Sequence, residues 1–481
     1  MEPGRTRKTV GLVLGVALFA LIIALPPPAG LEAAPWRVAA VAMLMATWWL
    51  TEAVPISATA LLPLLLFPML GVAPIDDVAA PYADPLVFLF LGGFLIALAI
   101  ERWNLHRRIA LTILSAVGAR EDLQIGGFML ATAAISMWVS NTATAVMMLP
   151  VALSIVPRRP DGALEPGKER FATALMLGVA YGASIGGIAT LIGTPPNALL
   201  AAFMNQNYGI EIAQLQWMLL GVPVSGVMLV ITWLALTRLV FPVRRAELPG
   251  ARTAIRQQLA DMGPVSRAEK RVAVVFGLTA LAWVTRPLLQ RIFPELQISD
   301  TTIALAGAVL LFLIPNGIER GRFLLTWQQA ERLPWGVLLL FGGGLSLAAS
   351  VSGSGLAAWL GTQLEALEGV PPIVLVLAVT VLIVFLTELT SNLATTATFL
   401  PVVAALAATL DAPPLLLTIP TALAASFAFM LPVATPPNAI VFGSGYVTVP
   451  QMAKAGLSLN LIGIVVIVAM LYLLMTPVFG V

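Results

Sequence analysis

Residues 138–150 read WVSNTATAVMMLP, and residues 388–401 read ELTSNLATTATFLP. Each stretch sets Ser and Asn in the middle of a long apolar run. A polar group in hydrocarbon without a hydrogen-bond partner is strongly disfavoured, so these side chains need partners or a ligand. Their setting decides what kind of protein this is.

The chain of 481 residues is 59% hydrophobic and 10% charged, where soluble domains run near ~25% charged. That composition suits a bilayer. With no cysteine and a single histidine, His106, the chain has no thiol nucleophile, no disulfide and no His or Cys cluster for zinc. It also lacks an HExxH motif and a Ser/His pairing, so the expectation is a protein that is not an enzyme. The formal net charge of +2 resides in loop Lys and Arg, a topology signal rather than a nucleic-acid footprint. The N-terminus, MEPGRTRKTVGLVLGVALFALIIALPPPAG, is built like a signal peptide. We read it as a first membrane helix, because membrane protein follows.

Apolar segments of spanning length fall at about 10–25, 36–50, 54–71, 85–101, 171–204, 216–241, 272–293, 300–314, 334–350, 414–446 and 456–479. The Ser-Asn motifs sit at the midpoints of two more, about 122–156 and 372–410. Read as single spans, these two scramble the loop charges. Read as re-entrant hairpins, they put 23 of the 26 Lys and Arg on one side, all but Arg37, Arg286 and Arg291. Acids dominate the other side: Asp76, Asp77, Asp84, Glu211, Glu365, Glu368 and Asp411. The positive-inside rule then predicts an all-α polytopic membrane protein of eleven transmembrane helices plus two hairpins. Its N-terminus is cytoplasmic and its C-terminus outside, in the cell's inner (cytoplasmic) membrane.

The chain also repeats itself. LGGF at 91–94 answers FGGG at 341–344, the Ser-Asn motifs are 251 residues apart, and IGTPPNALL at 192–200 answers VATPPNAIV at 433–441, 241 residues on. Opposite hairpin orientations make these halves an inverted repeat, the plan of secondary transporters. The expected organisation is an N-terminal helix (1–35), a first repeat (36–241) with its hairpin at about 122–156 and a broken helix at about 171–204, and a basic cytoplasmic linker (242–271). A second repeat (272–481) follows, with its hairpin at about 372–410 and a broken helix at about 414–446. Two stretches mixing Arg with Trp and Leu, 101–120 and 316–333, read as helices lying at the inner interface. His106, in the first of them, is expected to be solvated.

Two consecutive prolines cannot sit inside a continuous helix, whereas Thr then Pro suits a helix start. Each TPPN therefore breaks its span. Carbonyls freed before the break, at Gly193 and Ala434, can face a hard cation, and bare N–H groups after it favour an anion. Ser140-Asn141-Thr142 and Ser391-Asn392 do the same at the hairpin tips, with Ser136 and Thr387 one turn earlier. Neutral oxygens at this density suit Na⁺ or K⁺ and lack the carboxylates of Ca²⁺ sites. Taken singly, Ser-Asn is interhelical glue and Pro-Pro a kink; duplication in register favours a binding site. Gly92, Gly93, Gly342, Gly343 and Gly344 read as close-packing positions. Glu52 belongs at an inner helix end, and Glu388 tunes the second cluster or pairs locally.

Together with WWLTEAVPI near residue 50, the paired Ser-Asn and TPPN motifs make the chain resemble the divalent anion/sodium symporter (DASS) family, carriers of di- and tricarboxylates and sulfate, over nearly its whole length. The resemblance implies a homodimer with a fixed scaffold and an elevator-like transport domain. It implies a first sodium site of Ser136, Ser140, Asn141 and Gly193, and a second of Thr387, Ser391, Asn392 and Ala434. Substrate carboxylates fall to Asn141, Thr142, Asn392, Thr435 and Pro436. Leu393 departs from the pattern, standing where many bacterial relatives have Thr. The expected function is sodium-coupled symport of C4-dicarboxylates such as succinate, malate or fumarate, with Na⁺ as co-transported ion, no organic cofactor, and membrane lipid as surroundings. A dicarboxylate exchanger and a citrate or sulfate carrier are the near alternatives; a passive anion channel and an intramembrane enzyme are the distant ones.

Overall fold

The computed structural model describes residues 3–157, 159, 161, 164–363 and 369–480, with side chains from residue 6 onward. Arg158, Glu365, Glu368 and the Arg5 side chain, which entered the charge map, lie outside the described residues.

The protein is all-α. Among the described residues β pairing is confined to isolated bridges such as Arg120↔Glu247 and Pro315↔Phe323. Seven helices among the described residues are long and apolar enough to cross a membrane: Thr6–Ala24, Ile75–Arg102, Gln214–Val240, Arg267–Ile292, Trp335–Gly353, Asn392–Thr409 and Val449–Phe479. Several carry an apolar stripe that is exposed among the described residues. On Arg267–Ile292 it runs through Val274, Leu278, Leu281, Val284 and Leu288, and on Val449–Phe479 through Leu457, Leu461 and Val465. Spacings of three and four residues put each set on one helix face, the face suited to hydrocarbon.

Glu121–Ser136 and Asn141–Ile155 are two helices packed on each other across a tight turn. Pro372–Thr387 and Asn392–Thr409 form a second such pair. At 16 residues, Glu121–Ser136 and Pro372–Thr387 are each about 24 Å long at ~1.5 Å per residue, short of the roughly 30 Å hydrocarbon core. The turn that follows each of them leaves backbone groups that need partners outside the helix.

Two interrupted helices occupy the centre. Glu169–Gly187 gives way to Pro195–Tyr208, and Leu415–Ala425 to Pro436–Phe442. Every residue from Phe171 to Thr194 is buried, as an all-round apolar helix requires. In both interruptions the prolines occupy the first two positions of the restarted helix, after an extended threonine. Thr435 Oγ1 caps by accepting Asn438 N–H at 3.4 Å, whereas Thr194 takes the same position with no side-chain cap bond.

Packing then crosses between the halves. Asn141–Ile155 lies against Pro436–Phe442, and Asn392–Thr409 lies against Pro195–Tyr208. Close approach elsewhere depends on glycine: a side chain at Gly92 would meet the Ala304 backbone at 2.8 Å, and one at Gly343 would meet Ala60. Glu52 is exposed in the left-handed conformation (φ 51°), ending the helix Ala33–Thr51.

Two expectations need correction. His106 is 7% exposed, with Nδ1 3.1 Å from the Ile100 carbonyl. The helix Leu105–Ala116 turns its apolar face, His106 included, into the protein, and burial lowers the imidazole pKa from its ordinary value, with Arg107 adding to the effect and the Ile100 bond opposing it. Nor is 316–333 one helix. Glycines 317 and 321 adopt positive φ, and only Trp327–Ala330 is helical; Asn316 Oδ1 organises the turn by accepting the N–H groups of Ile318 and Glu319.

Candidate functional site

The two Ser-Asn turns face the two interruptions. In the first, Ser136 Oγ donates to Asn141 Oδ1 at 2.6 Å, while Ser140 is the N-cap of Asn141–Ile155 and accepts Ala143 N–H at 3.2 Å. Asn141 lies against Gly187: a side chain there would sit 2.5 Å from Oδ1 and 3.0 Å from Nδ2. Gly193 is wedged between the Gly187 and Met137 carbonyls, leaving no room for a Cβ. Thr190 closes the loop. Its hydroxyl donates to Met137 O at 2.5 Å and accepts Gly193 N–H at 3.0 Å. Ser136 and Asn141 are thus bonded to each other, and Asn141 and Gly193 both lie against Gly187, with Ser140 exposed beside them.

The second turn repeats the design with different parts. Thr387 Oγ1, fully buried, lies 2.9 Å from Asn392 Oδ1 and 2.8 Å from Ala425 O. Ser391 takes the N-cap position without a side-chain cap bond. Ala434 is 5% exposed, and its N–H donates to Leu431 O. Thr142 is exposed, whereas Leu393, its counterpart 251 residues on, is 6% exposed. Thr435 is buried under its cap bond, and Pro436 beside it is exposed.

Of the two roles open to Glu388, the structure shows local pairing. Its carboxylate, 3% exposed, accepts the N–H groups of Phe429, Met430 and Leu431 at 2.7–3.2 Å and the Asn460 amide at 2.7 Å. Those three amides belong to the interruption after Leu415–Ala425, where helical bonding has lapsed.

Several participants were not singled out from sequence. Asn197 Nδ2 donates to the carbonyls of Gly187, Ile188 and Thr190, and Asn438 Nδ2 to those of Ala428 and Leu431. Trp217 Nε1 donates to Ile188 O, and Tyr181 OH to Phe429 O. The asparagines had a signal, since TPPN recurs in both halves. Trp217, Tyr181 and Asn460 had none, as each comes from a distant helix. Chemically, the arrangement offers buried neutral oxygens beside four helix starts, at Asn141, Pro195, Asn392 and Pro436. Among the described residues it contains no Lys or Arg bonded to these groups.

A family model described as "Sodium:sulfate symporter transmembrane region" matches residues 6–481. The chain is 45% identical over 480 residues to the sodium-dependent dicarboxylate transporter SdcS of Staphylococcus saprophyticus, spanning 98% of this chain and 92% of that one. To the protein of the same name from Staphylococcus aureus it is 44% identical over 489 residues, spanning 100% and 94%. Among solved structures, the crystal structure of the Alcanivorax borkumensis YdaH transporter aligns with a TM-score of 0.60 at 15% identity, over 99% of this chain and 98% of that one. At that identity the likeness is one of fold.

Proposed function

The chain belongs to the sodium:sulfate symporter family, and from that membership we propose that it is a sodium-coupled secondary transporter of C4-dicarboxylates such as succinate, malate or fumarate. The relatives named sodium-dependent dicarboxylate transporters, similar over essentially the full chain, support sodium and a dicarboxylate as the transported pair. The observation that carries the reading is the doubled contact of hairpin tip with helix interruption: Ser136–Asn141 against Gly187, and Thr387–Asn392 against Ala425.

In this reading Ser136, Ser140, Asn141 and Gly193 hold one sodium ion, and Thr387, Ser391, Asn392 and Ala434 the other. Asn141, Thr142, Asn392, Thr435 and Pro436 receive the substrate carboxylates. The ions supply the positive charge that these neutral side chains lack, so anion affinity and sodium affinity are reciprocally linked. The two short helix pairs are re-entrant hairpins of an inverted repeat, 36–241 and 272–481, joined by the linker 242–271. An elevator movement of the hairpins and broken helices, against a scaffold shared by a homodimer in the inner membrane, carries the site across. The hairpin lengths and the crossed packing of each hairpin helix on the other half's restarted helix support this division.

Purified protein in proteoliposomes is expected to accumulate labelled succinate only under an inward Na⁺ gradient. Equal uptake in choline buffer overturns symport and leaves exchange on the same scaffold. Leu393 provides one specific reason to include citrate and sulfate among the competitors, since it leaves Thr142 as the lone hydroxyl at that paired position.

A further inference from the structure

We propose that Asn197 and Asn438, the closing residues of the two TPPN motifs, are positioning residues that decide which carbonyls of each interruption face the cation. The proposal rests on the sodium-coupled reading and deepens it.

The two side chains do the same job at corresponding places. They are 241 residues apart, and so are their acceptors: Gly187 answers Ala428, and Thr190 answers Leu431. Each asparagine occupies the third position of its restarted helix, and each is 0% exposed. From there the Asn438 amide nitrogen bridges two carbonyls of its interruption, and the Asn197 amide nitrogen bridges the matching two and reaches Ile188 O as well. Carbonyls turned toward this amide are withdrawn from a bound ion. Gly193 and Ala434 are not among its acceptors, so the amide does not compete with an ion for their oxygens.

A second observation separates this from ordinary buried satisfaction. Both Oδ1 atoms are buried with no partner among the described residues. A group left half unsatisfied in a dry interior is disfavoured, so the residue is held for its donors. Asparagine meets the geometry because it combines short reach with a two-proton donor. Aspartate has the same shape but turns an acceptor toward the carbonyls, and alanine reaches nothing. The clamps differ in backing: Glu388 holds the second loop from the other side through charge-assisted bonds to residues 429–431, whereas neutral groups back the first. Asn197 therefore carries more of the load.

The test uses full-length protein in detergent with Asn197→Ala, Asn197→Asp, Asn438→Ala and Asn438→Asp, and with Asn205→Ala, exposed at the far end of the same helix, as control. Sodium titration of the melting temperature gives a midpoint, and labelled succinate binding at saturating sodium gives the substrate affinity. Loss of a residue that orients metal ligands lowers affinity roughly tenfold or more, so the Asn197 variants are expected to raise the sodium midpoint about tenfold and the Asn438 variants less. Succinate affinity at saturating sodium is expected to stay at the wild-type value, as is the control throughout. If Asn197→Ala fails to fold, the near-isosteric Asn197→Asp decides. A variant with a lower melting temperature and an unmoved sodium midpoint overturns the clamp while leaving the sodium reading intact. A wild-type protein whose stability ignores sodium overturns both.

Discussion

The two helix interruptions meet the same demand with different chemistry. In the first, the hydroxyl of Thr190, a residue of the interruption itself, ties Met137 O to Gly193 N–H. In the second, the carboxylate of Glu388 comes from the hairpin side and takes up three consecutive amides and Asn460. Met137 and Glu388 are corresponding residues, 251 apart like the Ser-Asn motifs they precede. A neutral bridge leaves the first cluster dependent on dipoles alone. The second loop instead carries an acidic side chain held by neutral donors, a group with no counterpart in the first. Sequence symmetry therefore does not make the two clusters electrostatically equal.

The comparison breaks most visibly at Glu388. Glu388→Ala strands the buried amides of Phe429 and Asn460 and the part-buried ones of Met430 and Leu431, and a buried donor left unmade costs about 1–3 kcal/mol, so a loss of roughly 3 kcal/mol or more is expected in thermal or denaturant unfolding, with Glu388→Gln losing less. A Glu388→Ala protein as stable as wild type would show that the carboxylate is not what holds that loop. Thr190→Val removes a weaker bridge and is expected to cost about 1–3 kcal/mol by the same measurement. Ser136→Ala and Thr387→Ala sharpen the contrast at the ions: each is expected to raise the sodium midpoint about tenfold. Thr387→Ala alone should also lower the melting temperature, because only Thr387 holds a carbonyl of the interrupted helix. Leu393→Thr is expected to alter the order of preference among succinate, citrate and sulfate in competition binding, while leaving the sodium midpoint unmoved.

The smallest effect is expected from acid, in the first half, where the helix Leu105–Ala116 carries the chain's single histidine. That helix packs on Glu121–Ser136. Burial lowers the His106 pKa in the folded protein, so the unfolded chain takes up its proton first. Above the ordinary value of about 6.5 both states are neutral and nothing is lost. As pH falls through that value toward the folded one, stability declines. His106→Phe should flatten the melting temperature across this window, and an unchanged slope would exonerate the histidine.

Much of this was legible without coordinates. Polar motifs repeated inside apolar runs, and prolines where a helix cannot continue, locate where each interrupted helix restarts: Thr194 and Thr435 are the residues before the restarted helices. Spacing also singled out Ser136 and Thr387, because one turn of helix separates them from the tips. What stayed illegible depends on contacts between distant elements. The burial of His106 turns on what covers the helix Leu105–Ala116. The second amphipathic stretch mixes Arg, Trp and Leu like the first, yet two glycines with positive φ and an asparagine-centred turn make it a loop. The partners of Glu388 lie 41 to 72 residues away, beyond any local pattern.

By itself the sequence determined the membrane solvent, the all-helical class and the positions of the breaks, because hydropathy, proline and missing helix donors act locally and through composition. Tertiary structure alone decided which side chains meet the freed amides and carbonyls. Those bonds form between elements far apart in the chain, where many arrangements suit the same pattern and only close packing selects one.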